Sequence, residues 1–139
     1  MRVKHGQLDD RGHPYVEIMV SATGSPGSGV TLNALVDTGF SGFVSLPVIA
    51  ASELRLQPHA TTRYEMANGA LCEPVPLARA FACVAGDSFA PGVVTISDNA
   101  TVLMGVEFLR VCGKGLLMFS GQVILVDEKG LADFAAKQP

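Results

Sequence analysis

Short apolar runs of strand type, each closed by a turn signal, limit this chain more than any other feature. "YVEIMVSA" (Tyr15 to Ala22) is rich in β-branched and aromatic residues, with Glu17 between apolar neighbours. "DDRGHP" before it reads as a turn, and "TGSPGSG" (Thr23 to Gly29) as a flexible loop of turn formers. "VTLNALVD" (Val30 to Asp37) is the next strand. "RYEMANGALCEPV" carries Asn68-Gly69, a dipeptide suited to a type I′ hairpin turn. "LARAFACVAG", "GVVTISD" and "TVLM" continue the strand pattern, and "GLLMFSGQVILV" holds two apolar runs around a second hairpin signal, Ser120-Gly121. The runs "GLLMF" and "VILV" do not alternate. Such strands are often covered on both faces, and in a small domain the second cover can come from another chain.

Helix signals are few. Pro47 can open a turn or more through "VIAASELR", because proline suits the first helical position. In "GVEFLRVCG" (Gly105 to Gly113), Val106, Leu109 and Cys112 have helical spacing, as do Phe108 and Val111, and Gly113 can close the helix. "LADFAAKQP" at the end is either a short helix or a loose tail. No internal repeat or low-complexity tract breaks the chain.

A length of 139 residues predicts one domain spanning 1–139. Apolar residues at 48% and charged residues at 17% exclude a disordered chain. The formal net charge is −3 and no basic block stands out, so nucleic-acid binding has no electrostatic support. "MRVKHGQLDD" has no apolar core of the kind a signal peptide needs. "PLARAFACVAG" is interrupted by Arg79 and falls short of the roughly 18 apolar residues of a membrane span. The cytoplasm is the default location. Cys72, Cys83 and Cys112 cannot all pair within one chain and match no zinc spacing, which leaves free and largely buried thiols. His5, His13 and His59 are scattered through polar segments and read as surface histidines. No metal and no cofactor is expected.

The chemistry is concentrated in "ALVDTGFSG". Ala34, Leu35 and Val36 are strand residues, Asp37 stands at the strand's end, and Gly39 permits the bend that follows. Far downstream, "VLMGVEFL" (Val102 to Leu109) is a second apolar strand, a glycine and a short helix. With the "ANGA" hairpin between them, these elements resemble the single-lobed, retroviral-type (retropepsin-like) aspartic proteases and their stand-alone bacterial members. The resemblance covers about residues 15–126, leaving 127–139 as a possible tail. It implies an all-β, closed half-lobe with one short helix, assembled as a homodimer. It also implies hydrolysis of peptide bonds in an extended peptide or protein substrate, without a metal.

The resemblance further assigns roles. Asp37 would be the catalytic carboxylate. Thr38 would hydrogen-bond across the dimer to the opposite loop, and the Gly39 backbone would approach carboxylates and substrate. Phe40 would border the cleft, and Asn68 and Gly69 would form the tip of a flap that closes over substrate. Gly105 would let two strands pass closely. One Asp-Thr-Gly with no second Asp-Thr-Gly or Asp-Ser-Gly means that a monomer holds half a dyad. Two such carboxylates share one proton, because like charge raises one of the two pKa values. Two-fold symmetry would pair Asp37 with Asp37 of a second copy. Phe40-Ser41 departs from the Ala-Asp usual after the motif glycine of the retroviral enzymes, which affects substrate preference and dimer geometry rather than the catalytic group.

Plainer readings stand beside these. Asp37 and Thr38 can be ordinary turn formers, and Asn68-Gly69 any surface hairpin. Phe40 and Phe43 can belong to the core, Phe43 more readily. Gly105 is structural on any reading, and Glu107 is a solvated residue near the positive end of its helix. Besides an aspartic endopeptidase, the chain can be read as a non-catalytic peptide-binding module on the same half-lobe, or as a small ligand-binding β-barrel.

Overall fold

Residues 3–137 are described by a computed structural model. The runs "YVEIMVSA", "VTLNALVD", "LARAFACVAG", "GVVTISD", "TVLM", "GLLMF" and "VILV" all contribute strands, whereas "RYEMANGALCEPV", up to its last residue, forms only the isolated bridge Glu65↔Leu71. The strands are β1 (Val3–His5), β2 (Gln7–Leu8), β3 (Pro14–Ser21), β4 (Val30–Val36) and β5 (Val44–Pro47), followed by helix α1 (Val48–Glu53). Then come β6 (Pro58–Thr62), β7 (Val75–Val84), β8 (Ala90–Ser97) and β9 (Leu103–Met104), followed by α2 (Val106–Val111). β10 (Gly115–Phe119), β11 (Gln122–Val126) and α3 (Glu128–Ala136) complete the described chain. Helix α2 lies in the "GVEFLRVCG" segment, α1 follows Pro47, and α3 covers most of "LADFAAKQP".

Eight strands form one sheet in the order β2-β3-β4-β9-β5-β8-β7-β6, and a further β3–β7 pairing closes it on itself. Alternation along the strands fills the interior. Val16, Ile18 and Val20 of β3, Ala34 and Val36 of β4, Val44 and Leu46 of β5 and Val94 of β8 are all buried. β7 contributes the small residues Ala78, Ala80 and Ala82 to the same core. Phe43 and Phe108 fill the space they leave, with ring centroids 5.4 Å apart. Phe43 is a core residue, 3% exposed. Its ring lies over Gly92, where an added Cβ would come within 2.4 Å of two ring carbons.

A second sheet has the order β1-β11-β10. β11 is buried from Val123 to Val126, and its cover is internal, from the barrel strands and α3. β10 differs: Met118 and Phe119 are 45% and 46% exposed, although Phe119 packs edge-on against Phe134 of α3. The Asp127 carboxylate caps α3 by accepting from the Gly130 N–H at 2.6 Å. Lys114 and Asp87, nearly buried and 2.9 Å apart, tie the start of β10 to the β7–β8 turn.

Turns and caps depart from expectation in instructive ways. Ser120 (φ 52) and Gly121 (φ 73) both take positive φ, as a type I′ turn requires. At the other hairpin only Gly69 does so (φ 85). The Gly69 N–H donates to Met66 O and the Met66 N–H to Ala70 O, giving a three-residue loop with a glycine bulge instead of the expected type I′ turn. Pro47 is the residue before the first helical position of α1, still in β5. The "TGSPGSG" loop is stitched rather than flexible: Ser21 Oγ accepts from the Thr23 and Gly24 N–H groups and lies 2.8 Å from Ser28 Oγ.

Gly92→Ala should destabilise the chain by about 1–3 kcal/mol, because the new methyl overpacks against the Phe43 ring. The midpoint of urea unfolding measures this, and an unchanged midpoint would contradict the packing described.

Candidate active site

Two segments far apart in sequence meet as backbone. β9 runs between β4 and β5, parallel to the first and antiparallel to the second, so it passes through the loop that joins them. The Leu35 N–H donates to Val102 O at 2.8 Å and the Asp37 N–H to Met104 O at 2.9 Å. On the other side the Gly105, Val106 and Glu107 N–H groups donate to Phe43 O, Phe40 O and Gly42 O at 2.9, 2.9 and 3.2 Å. Residues 37–43 are thus held at both ends by the strand threaded through them. A Cβ on Gly105 would lie 2.1 Å from Gly42 O and 2.7 Å from Phe40 O, so no side chain fits there.

Within the loop, the Gly39 N–H donates to Asp37 Oδ1 at 2.9 Å and the Phe40 N–H to Asp37 O at 3.1 Å. These two bonds fix the carboxylate against its own turn. Asp37 is half-buried, whereas Thr38 and Gly39 are exposed. Leu35, two residues before Asp37, pairs with Leu103 of β9, and both are half-buried. They form an apolar shoulder on the strands that lead to the carboxylate.

Phe40 links the loop to the hairpin. Its half-buried ring lies close over Gly42 and Gly105 and meets Tyr64 edge-on, with centroids 5.4 Å apart. The Tyr64 hydroxyl shares a 2.7 Å hydrogen bond with Thr95 Oγ1, and Thr95 is only 4% exposed. Across the hairpin, the Tyr64 N–H donates to Cys72 Sγ and the Cys72 N–H to Tyr64 O. The hairpin's base is therefore fixed to the barrel and to the Asp37 loop. Its tip projects: Met66 and Leu71 are exposed, and a Cβ on Gly69 would meet nothing within 4 Å. Asp37, Thr38, Gly39, Phe40 and Gly105 thus come together directly, while Asn68 and Gly69 connect to them only through the hairpin's base. Tyr64, Thr95, Leu35 and Leu103 were not singled out from the sequence. The Tyr64–Thr95 contact spans 31 positions and has no local signature. The Leu35–Leu103 pair follows once the two motif strands are set side by side.

The remaining reactive groups lie elsewhere. The Arg110 guanidinium makes a forked pair with Glu107, which holds that carboxyl below its usual range and raises Arg110. Burial, then the neighbouring Cys83 thiol, pushes Cys112 up to about 11, and burial likewise raises Cys83. Both stay protonated at neutral pH and are poor nucleophiles. Among the described residues no cluster of three or more His, Cys, Asp or Glu side chains could hold a metal ion. No helix among them is long and apolar enough to cross a membrane.

This arrangement, a closed barrel with an aspartate loop threaded by a glycine-ended strand, is the half-lobe fold of retropepsin-like aspartic proteases. A retropepsin-like aspartic protease from Rickettsia conorii has the same fold, with a TM-score of 0.61 and 20% sequence identity over 90% of this chain and 91% of that one. EIAV protease, in complex with the inhibitor HBY-793, matches with a TM-score of 0.58 and 16% identity over 81% of this chain and 99% of that one. No protein-family model and no curated protein matches the sequence.

Tyr64→Phe should cost about 1–2 kcal/mol, because it leaves the buried Thr95 hydroxyl without its partner. It should also speed hydrogen exchange at the Met66, Gly69 and Cys72 amides. Unaltered exchange at these amides would show that Tyr64 does not restrain the hairpin.

Proposed function

We propose that the chain is an aspartic endopeptidase whose active site forms when two copies bring their Asp37 carboxylates together. The observation that carries this reading is the threading of β9 through residues 37–43, which presents Asp37 on a rigid backbone frame beside the exposed Thr38 and Gly39. The likeness in fold to retropepsin-like aspartic proteases supports it. One copy supplies one carboxylate, so chemistry waits on a partner. Among the described residues β10 has a neighbour on one side only, and it carries exposed Met118 and Phe119, which offers a second copy an edge to pair with.

In the assembled site the two carboxylates share a proton and titrate as a pair. The ionised one takes a proton from a bound water while the protonated one donates to the scissile carbonyl oxygen. The water adds directly to the carbonyl carbon, and no acyl-enzyme forms. Thr38 would hold the two loops together across the two-fold axis. An extended peptide would lie along the Leu35–Leu103 shoulder, under the 64–72 hairpin, held by strand-like backbone hydrogen bonds. Phe40 occupies the space between loop and hairpin base, so a change there alters how the hairpin sits over substrate.

Cleavage of an unstructured protein from acidic to neutral pH, beside Asp37→Asn, tests the reading. The variant should lose at least about a hundredfold in rate, the usual scale of acid–base catalysis. Equal cleavage by both chains, or none by either, would leave a peptide-binding half-lobe as the surviving account. Specific activity should also fall on dilution as dimers dissociate. Activity that stays constant per chain in a solution of monomers, as followed by sedimentation, would defeat the shared dyad.

A further inference from the structure

Away from the Asp37 loop, two helices end in the same way with different residues. In α2 the Gly113 N–H donates to Arg110 O and the Lys114 N–H to Leu109 O, with Gly113 at φ 63. This is the Schellman closure, in which glycine takes the left-handed position without steric cost. In α1 the Arg55 N–H donates to Ser52 O and the Leu56 N–H to Ala51 O, the same two bonds. Here the left-handed position, φ 56, belongs to Arg55. A long side chain is disfavoured there, and the chain uses glycine for the same task in α2. Strain retained at such a position points to a use for the side chain.

A second irregularity follows within four residues. β6 pairs with β7 through Pro58↔Ala78 and then Ala60↔Leu77, so the register slips and His59 is the extra residue of a bulge. Bulges re-aim side chains and are frequent beside functional sites. Arg79 comes from β7, next to Ala78. Arg55, His59 and Arg79 line one open pocket of about 400 Å³ with Ala22, Leu56 and Gln57. No Asp or Glu lines it, although the chain's net charge is −3. None of the ion pairs among the described residues uses Arg55, His59 or Arg79. The pocket shares no residue with the Asp37 loop or the 64–72 hairpin.

We propose that this pocket binds a phosphate group, either as the free anion or as a phosphomonoester. Two guanidinium groups offer forked donors matched to oxyanions, and the His59 imidazole and Gln57 amide add further donors. These groups come from three places in the fold, the end of α1, the start of β6 and the middle of β7. That placement suits the three or four oxygens of a tetrahedral anion better than the two of a planar carboxylate. The volume exceeds that of the anion itself and leaves room for the first atoms of an ester, with Ala22 and the buried Leu56 as an apolar wall.

The test is titration of the full chain with inorganic phosphate and with phenyl phosphate at constant ionic strength, followed by calorimetry and by backbone amide NMR. Saturable binding with shifts at Arg55, His59 and Arg79 is expected. Equal affinity for the two probes would identify a free-anion site, and tighter binding of phenyl phosphate an ester site. Arg55→Gly should raise the melting temperature without phosphate, by relieving the left-handed strain, and weaken phosphate binding about tenfold, as expected for loss of a hydrogen bond to a charged group. Arg79→Gln should weaken it similarly without the gain in melting temperature. The absence of saturable binding by either probe would overturn the proposal, as would unchanged affinity in both variants.

Discussion

The passage of β9 between β4 and β5 is the contact on which the rest of the half-lobe depends. Backbone must cross backbone there, and at Gly105 the distance to Gly42 O leaves no room for a methyl group. Four main-chain hydrogen bonds to the threading strand and the start of α2 hold residues 37–43. The loop's rigidity therefore belongs to the main chain, where a change of side chain at Phe40 or Ser41 need not disturb it. Buried N–H and C=O groups that would otherwise lack partners at a sharp bend are satisfied by the threading strand.

Side chains act one layer out. Phe40 rests on the two glycines of the crossing, Tyr64 rests on Phe40, and the Tyr64 hydroxyl reaches a buried threonine of β8. Position is thus transmitted from the threaded backbone to the base of the hairpin, and the hairpin's tip is left free. The hairpin is thus anchored at its base and exposed at its tip. The glycine bulge at Gly69 makes the tip's turn one residue longer than a type I′ turn, and Met66 and Leu71 are exposed beside it.

Much of the fold was legible because local chemistry and the global pattern agree. The strand runs, the helix over "VEFLRV" and its closure at Gly113 follow from periodicity and glycine placement alone. The two hairpins show the limit of that reading. Asn68-Gly69 carries the stronger type I′ signal, yet the type I′ turn forms at Ser120-Gly121. There the flanking strands pair residue for residue and impose their twist, whereas beside Asn68 a single bridge, Glu65↔Leu71, leaves the turn to relax. Tyr64–Thr95 and the His59 bulge were invisible for a related reason. Each is fixed by which strands become neighbours, and neighbours 31 positions apart leave no trace in a local window. For the candidate site, the strand–Asp37–glycine sequence and the downstream strand–Gly105–helix were legible as separate elements, and only their crossing required coordinates.

The outer elements show how the same chain handles surplus apolar surface. "VILV" and "GLLMF" look alike as sequence, but one becomes the centre of the small sheet and the other its edge. β11 is covered by β2 and β3 of the barrel and by α3, so the non-alternating run is satisfied within a single chain. Among the described residues β10 receives one neighbour, and the Phe119–Phe134 contact covers only part of what remains. An apolar edge of this kind is a hazard in a monomer, since its free N–H and C=O groups can template any other strand. Identical edges related by a two-fold axis are complementary without further adjustment, because each supplies the donors and acceptors that the other lacks. β10 presents an edge of this kind, and it begins at Gly115, shortly after α2 ends at Val111.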